Sequence, residues 1–430
     1  MRRLFLLLIL LFWTGTALAA PIEIRAPGQQ TIPLAVTSFL PLEKGGEHPE
    51  IAGEVNAVLN SDFQLSGLFR LVDPASFMSD AHRLGLVSVA VDFGQWRLLG
   101  AQDLIKGAYS VRGDELVIEA RLYDVSGQRL LTGRRYVGKL KNVRRMTHAF
   151  ADQVLKSLTG KAGPFDCYIA YVGNRTGHKE LYLMDVDGHH PIRLTDHRSI
   201  VLNPDFSPDG KDVIFTSYKE GNPDLYLKKI YTGQESRISH RPGLNAAGRF
   251  SPTGRRIALT LSKDGNSEIY LLGTGGKILQ RVTDSWGIDV DPSWSPMGDA
   301  IAFVSDRQGN PHIFIKKIGG KSVHRLTRNG KYNATPAWSP NGDRIAFSRL
   351  ENDHFDIYTV HPDGTGERRL TFGPGNKEHP RWSPDGRFIV YSSDVGGAKA
   401  IYIMRADGTG ARRISPPGEL CMHPAWSPRR

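Results

Sequence analysis

Arg381-Trp382-Ser383-Pro384-Asp385-Gly386-Arg387-Phe388-Ile389-Val390-Tyr391-Ser392-Ser393 carries the pattern that decides the fold. An aromatic residue is followed by Ser-Pro, then by an Asp-Gly turn former, then by a run in which apolar side chains alternate, the signature of a hairpin of antiparallel strands. The aromatic-Ser-Pro triplet occurs six times, starting at Phe206, Phe250, Trp294, Trp338, Trp382 and Trp426, each 44 residues after the last. Other columns keep the same step: Tyr182, Tyr226, Tyr270, Phe314, Tyr358 and Tyr402, and likewise Ile169, Val213, Ile257, Ile301, Ile345 and Ile389. A fixed period of this size marks a repeat architecture, and four short strands in about 40 to 45 residues make a propeller blade. Helical solenoids have similar periods but require a 3.6-residue pattern, which these segments lack.

The ends of the array predict how the ring closes. The repeat that begins near residue 166 has no aromatic-Ser-Pro strand in front of it, and only Arg429-Arg430 follows the sixth triplet. Joining the two completes both, so the strand ending at Trp426 is expected to become the innermost strand of the blade that starts near Tyr168. Six blades then close with no orphan sheet edge.

The same register predicts two free thiols. Cys167 aligns with Arg387 and Cys421 with Lys377, at opposite ends of a hairpin. Cys421 is expected to face Asn174, seven positions from Cys167; at about 3.3 Å per residue this is roughly 23 Å, far beyond the ~7 Å Cα limit for a disulfide.

Residues 31–160 lack the repeat and read as an α+β domain. Strands are expected at 33–39, 69–72, 103–109, 115–123 and 129–137. A helix at 49–61 places Ile51, Val55, Val58 and Leu59 on one face, and a second at 143–158 aligns Met146, Phe150, Val154 and Leu158. Residues 161–165 read as a linker to the propeller at 166–430. At the start of the chain, Arg2-Arg3, an apolar run from Leu4 to Trp13 and small residues up to Ala19 read as a secretory signal over 1–19, followed by a short Pro- and Gly-containing leader over 20–30 that is expected to be mobile without a partner. Half of the roughly 20 apolar residues that a spanning helix needs are present in that run.

The formal net charge of +11 is spread through the repeats rather than gathered in one run. With an export signal, this points to anionic envelope polymers or acidic protein partners and away from nucleic acid.

The signal, the α+β domain, the six aromatic-Ser-Pro repeats and the ending just past the sixth resemble the TolB family of the periplasmic Tol-Pal system. The resemblance implies a non-catalytic periplasmic scaffold without cofactors. In such proteins the propeller binds the outer-membrane lipoprotein Pal, and the mature N-terminal segment engages TolA from the inner membrane in support of outer-membrane integrity and division. The N-terminal contact maps onto Ile22, Glu23, Ile24 and Arg25 of the leader.

Loops that enter each innermost strand surround one mouth of a propeller channel, and the residues just before each recurrent proline are expected on that rim. They are Asn203, Asp291, Thr335, His379 and His423, with Ala247 in the unit where Gly248 replaces the proline. Asn245, Asp289, Asn333, Glu378 and Arg381 are expected to extend the ring. Polar groups of mixed type around a concave mouth suit a protein loop, and the Pal site implied by the resemblance has this location. An enzyme of the serine-peptidase kind requires a Gly-x-Ser-x-Gly elbow, which is missing. The alternative reading is a metal-dependent polysaccharide lyase using His379 and His423, but a usual metal site takes three or four ligands. The arginine column Arg193, Arg237, Arg281, Arg325, Arg369 and Arg413 reads as sheet-edge shielding paired with acidic loops, and the four repeat tryptophans as packing between blades.

Overall fold

The computed structural model describes residues 31–430. The signal and leader segments, with Ile22, Glu23, Ile24 and Arg25, lie outside the described residues.

The first strand, Ile32–Val36, runs parallel to both Phe69–Leu71 and Asp103–Arg112, and the sheet continues antiparallel through Glu115–Asp124 and Arg129–Lys139. Two helices, Pro49–Ser66 and Val143–Thr159, bury their apolar stripes in the core that also takes in this sheet. The first helix runs past residue 61 because its stripe continues through Phe63 and Leu65, while Asp62 turns inward to meet His148 at 2.7 Å. Gly67, at φ 67°, then ends it in the left-handed conformation that glycine adopts without steric cost. Residues between 73 and 101 form short 3-10 turns and the helix Phe93–Leu98, tied to the sheet by the buried Lys106–Asp80 pair at 2.9 Å.

Six four-stranded antiparallel sheets make the propeller. The first blade contains Val201–Phe206, Asp212–Ser217, Asp224–Lys229 and Glu235–Ser239, from the axis outwards. The sixth is built from Cys421–Trp426, Tyr168–Gly173, Glu180–Asp185 and Ile192–Arg193, so the tail closes the ring with Trp426 opposite Ile169. Five of the six Ser-Pro prolines lie against the turn glycine of the following blade; after Pro384 that position is Arg430. The joint repeats across the closure, where a Cβ at Gly210 would sit 3.2 Å from Pro428.

Every innermost strand contains one extra residue. In the first blade Leu202 faces Thr216 but Asp205 faces Ile214, and the same slip occurs at the recurrent Pro or Gly of the other five. This is a β-bulge, and proline suits it because the bulge leaves an N–H unpaired in any case. The bulge also corrects the cysteine register: Cys421 faces Gly173 rather than Asn174, since the inserted residue moves the partner by one. Both cysteines are free and buried. In the second blade the bulge has Gly248, where a Cβ would lie 2.8 Å from Leu225 and 3.1 Å from Ile214; the register position of Ile214 is alanine in four of the other blades, at Ala170, Ala258, Ala302 and Ala346.

Blades pack through apolar layers, such as Ala258, Ile269 and Leu271 of the second against Ile301, Phe303 and Phe314 of the third. Trp294 joins that layer and donates its Nε1–H to the carbonyl of Arg249 in the neighbouring blade at 3.1 Å. The arginine column pairs with loop acids, as Arg193 with Asp196 at 3.5 Å and Arg281 with Asp284 at 2.9 Å, and with buried acids as well. Arg237, Arg281 and Arg369 reach Asp224, Glu268 and Asp356 at 3.3, 3.2 and 2.5 Å, and these acids are buried at the start of the third strand of the same blade.

The two parts share one continuous core. Phe165, inside the expected linker, is fully buried and lies 6.1 Å from Phe388 of the fifth blade. The Asp152 carboxylate accepts from the N–H of Phe165 at 2.8 Å and of Asp166 at 3.1 Å, turning that segment into a packed joint. An ion cluster crosses the junction: Arg144 pairs with Glu54 at 2.7 Å and with Asp187, and His148 lies between Asp62 at 2.7 Å and Asp187 at 3.5 Å. Burial opposes charge on His148, but the two carboxylates outweigh it and push its pKa up to about 10.

Candidate functional site

The bulges aim one residue of each blade at the axis end where loops enter the innermost strands. Asn203, Ala247, Asp291, Thr335, His379 and His423 occupy these places with φ between 50° and 58°, the left-handed region. For a non-glycine residue this costs about 1–2 kcal/mol, and six such residues in a ring persist because the closed disc over-determines them. A repeated strained backbone of this kind argues for a site.

Neighbouring members of the ring are linked across blades. The rings of His379 and His423 lie 4.2 Å apart, centre to centre, and the N–H of Asn203 donates to His423 Nδ1 at 3.3 Å. His423 donates its own N–H to Ser392 Oγ at 3.1 Å, and the Thr335 and Ser348 hydroxyls meet at 2.9 Å. Burial, helped by Lys399 and Arg249, pushes His379 down to about 3, and burial with the adjacent His379 holds His423 well below its ordinary range. Burial raises Asp291. The histidine side of the mouth is therefore uncharged at neutral pH, and His379 Nδ1 is enclosed without a hydrogen-bond partner.

Four of the expected rim residues lie elsewhere. Asn245, Asp289 and Asn333 are fully buried inside their blades. Asn245 accepts from Ser239 Oγ at 2.5 Å, Asp289 takes Arg307 at 2.5 Å, and Asn333 accepts from Arg349 Nε at 2.9 Å. They hold loops in place and present nothing to a partner, because a buried polar side chain must be satisfied internally. Arg381 follows the bulge and lines the opposite end of the channel. Glu378 is half-buried and paired with Lys399 at 2.5 Å.

The residues missing from the sequence reading are apolar. Ile200, Leu244, Ile288, Tyr332 and Leu420 form another 44-step column, three positions ahead of the left-handed residues; Asn376 is its sixth member. Ile200, Ile288 and Tyr332 are 42, 51 and 40% exposed, and Trp286 and Phe372 in the same set of loops are 76 and 70% exposed. The periodic signal was present, but apolar residues in a repeat are read first as core. Aromatic residues half-open beside a polar floor are the usual anchors of protein interfaces. Among the described residues, no three His, Cys, Asp or Glu side chains converge as a metal site would require.

Comparison with known proteins places this geometry. The model of the TolB beta propeller domain matches residues 155–430, and that of the TolB amino-terminal domain matches residues 20–131. The Tol-Pal system protein TolB of Syntrophotalea carbinolica is 65% identical over 215 residues, 50% of either chain, and that of Geobacter sulfurreducens is 45% identical over 192 residues, 44% of this chain and 43% of the relative. These matches span about half the length of the curated relatives. The crystal structure of TolB from Acinetobacter baumannii, 27% identical, superposes with a TM-score of 0.80 over 93% of this chain and 97% of its own. With the propeller model covering well over half of the sequence and the six-bladed disc beneath it, the chain belongs to the TolB family of Tol-Pal system proteins.

Proposed function

We propose that this protein is a non-catalytic periplasmic scaffold whose loop-entry mouth grips the outer-membrane lipoprotein Pal, while the leader, through Ile22, Glu23, Ile24 and Arg25, engages TolA of the inner membrane. In this reading the protein links the two membranes, supporting outer-membrane integrity and invagination during division. The observation that carries it is the collar of half-exposed apolar residues, Ile200, Ile288 and Tyr332, around a floor of neutral imidazoles. Such a floor is suited to burial under another protein, because no charge has to be desolvated when the partner arrives. Family membership supports the same assignment. Among the described residues no helix is long and apolar enough to cross a membrane.

The test is affinity capture from a cell-envelope extract, comparing intact protein with the His379→Ala, His423→Ala double variant. Recovery of a peptidoglycan-associated lipoprotein by the intact protein, and its loss with the variant, is the expected result. Deleting residues 20–30 is expected to remove TolA from the capture and leave Pal. Turnover of an acidic saccharide by pure protein would overturn the scaffold reading in favour of a lyase.

A further inference from the structure

The channel has a second mouth, and its chemistry differs from that of the first. Here the six Ser-Pro turns form a collar in which Pro208, Pro252, Pro340 and Pro384 are exposed. Behind them lies a cavity of about 550 Å3, within the size range of a pocket for one small ligand, about 300–1,000 Å3. Two guanidinium groups line it, Arg249 from the second blade and Arg381 from the fifth. Three steps apart in a six-membered ring, they come from opposite blades.

Neither arginine forms an ion pair among the described residues, although Arg249 lies near enough to Asp205 and Asp291 to oppose the rise that burial gives their pKa values. Arg249 uses only Nη1, on the carbonyls of Gly248, Asn203 and Pro204 at 3.0, 3.4 and 3.5 Å. Arg381 donates Nη1 to the adjacent Pro380 carbonyl at 3.0 Å, and its Nε is enclosed with no partner. This contrasts with the arginine column of the outer strands, where buried acids have been supplied. Asp205 is the one acid on the cavity wall; its carboxylate accepts from the N–H of Phe250 at 2.9 Å, and burial pushes its pKa up to about 6. The pocket therefore holds two cations against at most one anion.

We infer that this second mouth binds the free C-terminal carboxylate of an extended peptide, with Arg381 and Arg249 as its receptors. A planar guanidinium fork matches a carboxylate bidentately, and a collar of prolines and aromatic edges suits an extended backbone. An acidic saccharide fits less well, since a sugar stacks on an open aromatic face. Trp294 and Trp426 are only 7 and 8% exposed, Arg256 already covers the ring of Trp294 at 5.1 Å, and the half-buried Trp338 and Trp382 are held by their Nε1–H on the carbonyls of Gly342 at 3.4 Å and Ala337 at 2.9 Å. Arg381 lies away from the rim assigned above, whereas Arg249 also touches the carbonyl of the rim residue Asn203, so variants of Arg381 are the ones that test this mouth apart from the other.

The experiment is affinity selection by the full chain from a tetrapeptide library with free C-termini, against the same library amidated and against galacturonate oligomers. Affinity is then measured for the selected peptide through the fluorescence of Trp338 and Trp382 at the cavity wall. Selection from the acid library alone is expected, with at least a tenfold loss of affinity in Arg381→Gln and partial recovery in Arg381→Lys. The thermal midpoint and the capture at the opposite mouth should be unchanged in both variants. Equal selection of acids and amides, preference for galacturonate, or no selection by folded protein would each overturn the inference.

Discussion

Trp426 pairs antiparallel with Ile169, joining the last strand of the chain to the second strand of the blade that opens the array. The N–H of Ser427 donates to the Tyr168 carbonyl at 2.9 Å, and Arg430 continues the seam to Asp166 at 3.0 Å and Asp185 at 3.3 Å. A single strand thus seals six sheets. Removing residues 421–430 opens two blade faces and deletes the buried Trp426, a loss of about 3–5 kcal/mol from that side chain alone. At about 2–4 °C per kcal/mol, scanning calorimetry should show the propeller midpoint falling by roughly 10 °C or more. A truncated chain with its full midpoint would contradict the seal.

The left-handed bulge can be probed at Ala247, which has φ 55° and is buried. Replacing alanine by glycine inside a strand ordinarily destabilises by about 0.5–1 kcal/mol. Here the change removes a strained Cβ, so Ala247→Gly is expected to be neutral or stabilising by up to about 1 kcal/mol in urea unfolding. A clear loss of stability would mean the strand is not bulged in solution.

Ile288 is half-exposed, so its truncation should cost binding and little else. Ile288→Ser is expected to weaken Pal binding by tenfold or more in calorimetric titration, with the thermal midpoint within about 2 °C of the parent. Unchanged affinity would remove the apolar collar from the proposed interface.

The junction cluster predicts a pH dependence. His148 has its pKa raised in the folded state, so its contribution is complete below the unfolded value near 6.5 and is lost as pH rises through about 10. Stability should therefore decline between those limits, because the folded state keeps the His148 proton between Asp62 and Asp187 while the unfolded state has released it. In His148→Gln, the protein is expected to be less stable by about 3–5 kcal/mol at pH 7 and to lose that sloping component. Identical slopes from urea unfolding at pH 6.5, 8 and 9.5 would assign the cluster no role.

Burial pushes the Cys421 thiol up to about 11 and raises Cys167 well above the ordinary thiol range. Both should resist alkylation at pH 8 in the native state and react fully, as two thiols, after denaturation. Fast native labelling of either would require a more open sixth blade.

The 44-residue spacing, the alternation and the recurrent proline were enough to give the blade, its number and its closure, because strand periodicity and turn chemistry are local properties that each unit states again. Facing is different. One inserted residue per innermost strand changes which side chains meet the channel, so Asn245, Asp289 and Asn333 sit inside blades and Arg381 belongs to the far mouth, although all four read as rim residues in the linear pattern. The apolar collar was equally present in the sequence, at Ile200, Ile288 and Tyr332, yet exposure depends on what lies across the loop and not on the residue itself. The fusion of the two parts through Phe165, Asp152 and the His148 cluster was decided by contacts between distant segments, whose charges can be buried only where folding brings opposite signs together.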